Sequence, residues 1–461
     1  MKEGTQMFEE TKARTRNQVI ETLCDNYKKY NHIDASLFGK YQVKRGLRNE
    51  DGTGVMAGLT QICNVHGYII SDGAKEAVDG GLIYRGYDII DIIEDCYKTK
   101  RFGYEEVAYL LLFGVLPKED EIKFFSTTLA AMRGLPAGFV EDVILKTPSK
   151  NIMNKMAQCI LSLYTYDDAA ESTSIEHELR TAIEIIARMP AIMVAAYQSK
   201  RKNFDNKSLY LHPIRKEETA AQSILSTLRA DRKYTDDEAL LLDILMILQA
   251  EHGGGNNSTF STRVLTSSGT DAYSAYAAGM GSLKGPKHGG ANIKVMEMLS
   301  YIEKGVSNYD DEAEVKEFLQ RIVAKQEGDG SGLIYGMGHA VYTKSDPRAI
   351  ILREKAMSLA TGTKFESSFK LLSKVEYLAP IVLAEAKGDG KSICANVDLY
   401  SGLVFKMLQI PEDLFTPMFA VSRIVGWAAH RLEEIITGGR IMRPAYKSVY
   451  DDQEYTPLSE R

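Results

Sequence analysis

One stretch of this chain is apolar on nearly every side, and it constrains the fold more than anything else. Between Asp236 and Glu251, Leu240, Leu241, Leu242, Ile244, Leu245, Ile247 and Leu248 surround most of a helix's circumference, and a helix that is greasy all round must be enclosed by other elements. Thr235, with Glu238 three residues on, forms a capping box that satisfies two orphan amide donors at the helix start. The chain must therefore bury a central helix. That helix ends by delivering His252 into Glu-His-Gly-Gly-Gly-Asn-Asn.

The surrounding pattern is also helical. Phe102 to Phe113, Asn151 to Thr165, Ile175 to Ser199 and Glu217 to Arg229 repeat apolar residues at three and four residue spacing between short Pro/Gly turns. Residues 8 to 30 predict a polar amphipathic helix, Asp271 to Leu283 an alanine-rich one, and Ile293, Met296, Leu299 and Ile302 another that begins just after His288. Only Ile62 to Val65 and Leu82 to Arg85, flanking Ser-Asp-Gly and Gly-Gly turns, read as extended, which predicts a small hairpin. The expected class is mainly α, multihelical, with a small N-terminal β element.

At 461 residues the chain exceeds the size of one ordinary core, so two domains are expected. Gly-Asp-Gly turns at 328 to 330 and 388 to 390 bracket helical patterns over Pro347 to Ala360 and Ser367 to Ala386. The predicted division is an N-terminal arm (1–55), the first part of a large helical domain (56–288), a small helical domain (289–397), and a return segment with a C-terminal tail (398–461). A chain that leaves and re-enters one domain at His288 and Asp398 is arranged for hinge closure.

Charge excludes some functions. The 56 basic and 62 acidic residues leave a net −6, with no Lys/Arg block that would neutralise a run of phosphates, so nucleic acid is not expected as a partner. Five widely spaced cysteines without a C-x-x-C pair argue against a disulfide framework or a zinc knuckle. There is no apolar run of eighteen residues and no signal-peptide core at the start, so no membrane partner is expected and the location predicted is cytoplasmic.

Three histidines stand in or beside glycine-rich turns: His252, His288 in Gly-Pro-Lys-His-Gly-Gly-Ala-Asn, and His339 in Gly-Met-Gly-His-Ala-Val. Glycine lets backbone bend sharply and approach a ligand closely. His252 alone could equally be a helix-end histidine meeting the last carbonyls, but the glycines after it strip bulk from one wall, and Asn256 and Ser258 offer hydrogen bonds to a small polar ligand. His288, near the start of a helix, is expected to stay neutral and donate a hydrogen bond, against the alternative of a solvent-exposed turn residue. Asp346 and Pro347 predict an N-cap and first helical position, which fixes Arg348 in the first turn. Asp398, in Asn-Val-Asp-Leu-Tyr-Ser-Gly, reads by itself as a cap for the helix Leu399 to Leu408. Arg423 has Phe419, Ala420, Gly426 and Trp427 as its helix neighbours and must find an acid or a ligand carboxylate elsewhere. Arg443, before Pro444, reads as an extended-tail charge. Histidines 36 and then 51 residues apart match no compact metal motif, so no metal is expected.

Taken together, these motifs resemble the citrate synthase family in order and spacing, as do Gly81-Leu82-Ile83-Tyr84-Arg85-Gly86-Tyr87 and Phe102 to Leu111; the likeness spans about residue 60 to 445. The resemblance implies that family's two-domain multihelical fold, and an enzyme condensing acetyl-CoA with oxaloacetate. It implies that Asp398 is the base, that His288 hydrogen-bonds the thioester oxygen, and that His339 polarises the ketone. His252, Asn256, Arg348 and Arg423 would hold oxaloacetate, with Arg443 reaching into the neighbouring site of a homodimer. Ile334, Gly336, Met337, Gly338 and Lys344 would contact coenzyme A, and no cofactor beyond the substrates is implied. Two positions depart from the family: Met337 stands where an aromatic residue is common, and Thr343 where some members place an arginine. The same resemblance admits a 2-methylcitrate synthase using propionyl-CoA, and, from another class, a non-catalytic metabolite-binding regulator on the same scaffold.

Overall fold

The computed structural model describes residues 16–71, 74–388 and 393–461. The chain divides into two compact units, Met1–Ala57 and Gly58–Arg461. The described part of the first holds α1 (Arg16–Tyr30) and α2 (Ser36–Lys40). The helix predicted over residues 8 to 30 thus appears from Arg16 on, and residues 8 to 15 lie outside the described residues.

The second unit opens with β1 (Cys63–Ser71), β2 (Ala74–Tyr84) and the short β3 (Tyr87–Asp88), an antiparallel sheet in the order β1-β2-β3. β1 and β2 pair from Cys63 opposite Tyr84 to Ser71 opposite Ala74, with an irregularity between His66 and Tyr68. The strands run well beyond the two short apolar stretches in the sequence. Cross-strand pairing carries a residue of weak intrinsic β preference, Gly81 opposite His66, while Gly67 and Gly80 fall at the irregularity. Of the Ser-Asp-Gly turn, Asp72 and Gly73 fall outside the described residues.

Helices follow: α3 (Ile89–Thr99), α4 (Tyr104–Phe113), α5 (Glu119–Met132), α6 (Ile152–Leu163), α7 (Ile175–Phe204) and α8 (Ala220–Leu228). The apolar helix, α9 (Asp236–Gln249), is buried at every residue from Ala239 to Gln249. Its capping box is formed as the sequence requires, Glu238 N donating to Thr235 Oγ1 at 3.1 Å and Thr235 N to Glu238 Oε2 at 2.8 Å. Asp243, an acid within this buried run, accepts from Gly103 N at 2.7 Å and Tyr104 N at 3.2 Å. It satisfies the start of α4, which is how a carboxyl is accommodated inside the core.

Then come α10 (Asn257–Ser267), α11 (Ala272–Leu283), α12 (Ala291–Gly305), α13 (Glu312–Val323), α14 (Pro347–Ala360), α15 (Glu366–Lys387), α16 (Asp398–Met407) and α17 (Phe415–Ile436). α17 is buried without interruption from Phe415 to Leu432. It crosses the end of α9 so closely that a side chain at Gly426 would collide with Ala250 and Glu251. Among the described residues no helix is long and apolar enough to cross a membrane.

Candidate active site

The close crossing of α9 and α17 fixes the first part of the site. Arg423, fully buried on α17, donates from Nε to Gln249 O at 2.7 Å, which anchors the guanidinium on the last carbonyls of α9. Its Nη1 and Nη2 are buried and bond to no other described residue. Burial works against its charge and lowers its pKa, with Glu251 partly offsetting the effect. Two donors of a buried cation, aimed away from their own backbone anchor, suit a planar carboxylate. His252 lies just beyond the same helix end, 8% exposed, with its Nε2 also unpartnered. Burial first, then Arg348, His339 and Arg423, hold its pKa well below the ordinary value, so the ring is neutral.

A largely buried chain of polar groups stands behind them. Glu251 Oε1 accepts from Gly253 N at 2.5 Å and from His430 Nε2 at 3.0 Å. His430 Nδ1 lies 2.8 Å from Arg263 Nη1. Guanidinium can only donate, so Nδ1 accepts and the proton sits on Nε2. Arg263 in turn pairs with Glu433 at 2.9 Å and Glu434 at 2.8 Å. Burial pushes the Glu251 carboxyl up, but His430, Arg423 and the Gly253 amide outweigh it, and Glu251 is held ionised as a counter-charge to Arg423.

His288 lies in the turn before α12, its Nε2 3.0 Å from Ser258 Oγ. Trp427 Nε1 donates to the same oxygen at 3.2 Å. The pKa of His288 falls to about 4, first through burial and then through Arg423. The neutrality expected from the sequence is present, but burial and Arg423 cause it rather than the helix start. Asn256 is the N-cap of α10, its Oδ1 accepting from Ser258 N at 3.3 Å and Ser258 Oγ at 2.9 Å. Its carbonyl is thus occupied by the helix that aligns Ser258.

The glycine-rich segment before His339 pairs with the strand-like residues before α16. Gly338 N donates to Cys394 O at 2.7 Å, Asn396 N to Gly336 O at 2.9 Å, and Asn396 Nδ2 to Gly338 O at 2.8 Å. Gly336 is required there: its φ is +81°, and a Cβ would come within 2.9 Å of Leu399 Cα. His339 accepts at Nδ1 from Val341 N and Tyr342 N, both at 3.1 Å. The two backbone donors leave its proton on Nε2. Asp346 is the N-cap of α14, as predicted, and its carboxylate also takes Arg348 Nε at 3.1 Å and Nη2 at 2.8 Å.

Asp398 is the first residue of α16, not its cap. Asn396 Oδ1 accepts Asp398 N at 3.0 Å, which leaves the aspartate side chain clear of the helix end. Its pKa rises to about 6, pushed up by burial, held back by Arg348, and further adjusted by Asp346 and Arg423. A carboxyl tuned this way is a base near neutrality. At subsaturating thioester the rate should therefore fall about tenfold per pH unit once pH drops below about 6, as the carboxylate takes up its proton. His288, neutral down to about 4, adds no second limb in that window. A flat profile from pH 7 to 5 would refute the assignment of the base.

The same electrostatic neighbourhood thus holds Asp398, His252, His288, His339, Arg348 and Arg423. Two residues named from the sequence stand apart. Arg443 is exposed on the tail, and Lys344, also exposed, pairs with Asp79 Oδ2 at 3.0 Å. Ile334 and Gly336 are buried, and Met337 and Gly338 half-buried. Sequence reasoning passed over Glu251, His430 and Tyr342. The only local signal was the Glu-His pair at the end of α9.

A multihelical fold that sets a tuned carboxyl among neutral imidazoles and buried guanidiniums defines an enzyme working by acid–base chemistry. The family model described as citrate synthase, C-terminal domain, matches residues 49–445. The chain belongs to the citrate synthase family, as an enzyme of the transferase type. It is 34% identical to the citrate synthase of Haloferax volcanii over 86% of this chain and 98% of that protein. It is 35% identical to citrate synthase 2 of Bacillus subtilis over 85% and 96% of the two chains. A 2-methylcitrate synthase of Shewanella oneidensis is 30% identical over 83% and 92%. The solved citrate synthase of Pyrobaculum aerophilum superposes with a TM-score of 0.70 at 29% identity, covering 88% of this chain and 94% of that one.

Proposed function

We propose that this protein condenses acetyl-CoA with oxaloacetate and water to give citrate and CoA. The observation that carries this reading is the Asp398 carboxyl, raised to about 6 in a cluster with the Nη groups of Arg423, which no described residue partners. Asp398 takes a proton from the thioester methyl while His288 donates its Nδ1–H to the thioester oxygen, its Nε2 accepting the Ser258 hydroxyl hydrogen turned from Asn256, so the enol(ate) forms with its charge stabilised. The new C–C bond forms between that methyl carbon and the ketone carbon of oxaloacetate, whose oxygen receives a hydrogen bond from His339 Nε2–H. Water then cleaves the thioester, releasing CoA and leaving the new carboxylate. His252, Asn256, Arg348 and Arg423 orient oxaloacetate.

Ile334, Gly336, Met337, Gly338 and Lys344 contact coenzyme A in this reading, and Lys344 exchanges Asp79 for a phosphate. The exchange is cheap because that ion pair is largely exposed. Two copies assemble so that Arg443 of each reaches the neighbour's site. The exposure of Arg443 among the described residues supports this reading. Residues 289–397 move as a small domain against 56–288 and 398–461, closing after oxaloacetate binds so that the thioester is not wasted on water. The reaction as written uses no resident metal or cofactor. A cytoplasmic location completes the reading, supported by five free cysteines.

Purified protein should release free thiol from acetyl-CoA only when oxaloacetate is present. Thiol release without oxaloacetate, or none with it, rejects the reading. A clear preference for propionyl-CoA would instead make it a 2-methylcitrate synthase, the name carried by the Shewanella relative.

A further inference from the structure

Tyr342 belongs to none of the groups assigned above, yet its ring touches three of them. It is 1% exposed. Its ring stacks on His339 at 4.7 Å and 25°, meets His252 edge-on at 5.6 Å and 71°, and lies 5.7 Å beneath the Arg348 guanidinium carbon. All three are among the residues assigned to oxaloacetate, His252 from beyond the end of α9 and His339 and Arg348 from the segment that leads into α14. His252 and His339 themselves meet at 5.0 Å, edge to face. A single rigid ring therefore fills the space behind two imidazoles and a guanidinium.

The ring is seated from outside the site. Tyr342 OH donates to Gly81 O at 3.2 Å, on β2, and burial raises the phenol's pKa so that the proton stays in place. Around this bond the hairpin presses on the loop that follows His339. Gly80 N donates to Ser345 Oγ at 3.0 Å. A Cβ at Gly80 would collide with Ser345 O and come within 2.8 Å of Tyr342 Cδ1, and one at Gly67 would come within 2.7 Å of Val341 O. Backbone approaches this near are open only to glycine. The hairpin contributes no side chain assigned to the chemistry. Its bare backbone fits the loop that carries His339 and Arg348.

We infer that Tyr342 is the positioning residue of the oxaloacetate subsite, and that the β1–β2 hairpin, through Gly80 and Gly81, is the seat that sets its ring. The inference rests on the citrate synthase reading for the identity of the ligand. Tyr342 touches no reacting atom: it acts through His339, His252 and Arg348. The hairpin and the site are therefore one mechanical unit, and a change in the hairpin is read as a change in oxaloacetate recognition.

The experiment is steady-state thiol release on the full chain with each substrate varied in turn, together with calorimetric oxaloacetate binding and thermal melting. Tyr342→Phe keeps the stack and loses only the bond to Gly81, so the KM for oxaloacetate should rise about fivefold. Tyr342→Leu loses the ring, so that KM should rise about thirtyfold or more as the imidazole and guanidinium drift. The KM for acetyl-CoA should stay within about twofold in both, a split that general loss of stability does not produce. Gly80→Ala, remote from the ligand, should raise the oxaloacetate KM in the same direction, and it covers the case in which the leucine variant does not fold. An oxaloacetate KM unchanged in Tyr342→Phe and Gly80→Ala overturns the inference. So does an equal rise for both substrates, or a phenylalanine variant as impaired as the leucine one. A wild-type protein without oxaloacetate-dependent thiol release would instead reject the citrate synthase reading itself.

Discussion

Asp398→Asn should lower kcat by about a thousandfold while oxaloacetate binds at least as tightly as before. The carboxamide is nearly isosteric, and the start of α16 survives because Asn396 caps it through the backbone N of residue 398. What disappears is the acceptor for the methyl proton, a loss that costs about 10²- to 10⁴-fold where a side chain serves as general base. The binding half of the prediction follows from sign. At neutral pH a carboxyl of pKa about 6 is mostly ionised, and its negative charge opposes the dianionic ligand that the proposed mechanism assigns to Arg348 and Arg423. Removing it relieves that repulsion. Thiol release measures the first half and calorimetric titration with oxaloacetate the second. A kcat within tenfold of wild type would show that another group takes the proton.

Arg423→Met should raise the KM for oxaloacetate about a hundredfold, since hydrogen bonds to a charged partner contribute about 1.5 to 3 kcal/mol each and each 1.4 kcal/mol is tenfold. Methionine fills the volume of the stem beside Phe419 without the two Nη donors, which have no other partner among the described residues. A second readout separates this from a loss of packing. Arg423 depresses the pKa of both His288 and Asp398, so its removal must shift the acid limb of the rate profile to higher pH. A KM within about fivefold of wild type, with an unmoved acid limb, would place the carboxylate clamp elsewhere.

The parts of the site that the sequence revealed are those whose signal is local. The capping box at Thr235 and Glu238 and the Asp346-Pro347 start of α14 lie within a few residues of the side chains they aim. Both stand as read. The two short apolar runs mark the hairpin but not its length, because Gly81 carries no strand preference and gains it only by pairing with His66, and Gly67 and Gly80 sit at a break in the register. Asp398 was read by itself as a helix cap, since an aspartate before a helix usually is one. Asn396 takes that role instead, and this depends on the bend the chain makes when residues 394 to 396 pair with the Gly336–Gly338 segment.

The sequence alone determined that a helix apolar on all sides must be enclosed by others, that glycine turns would carry three histidines, and that the motifs occur in the order of one family. Periodicity, capping and turn chemistry act over a few residues, so they can be read along the chain. Only the tertiary structure decided which groups are charged and what steadies them. Whether His288 is neutral, Asp398 ready to accept a proton, or Tyr342 packed against two imidazoles depends on burial and on groups distant along the chain that the fold brings together. Desolvation and Coulomb forces follow distance through space, and a linear order of residues does not contain that distance.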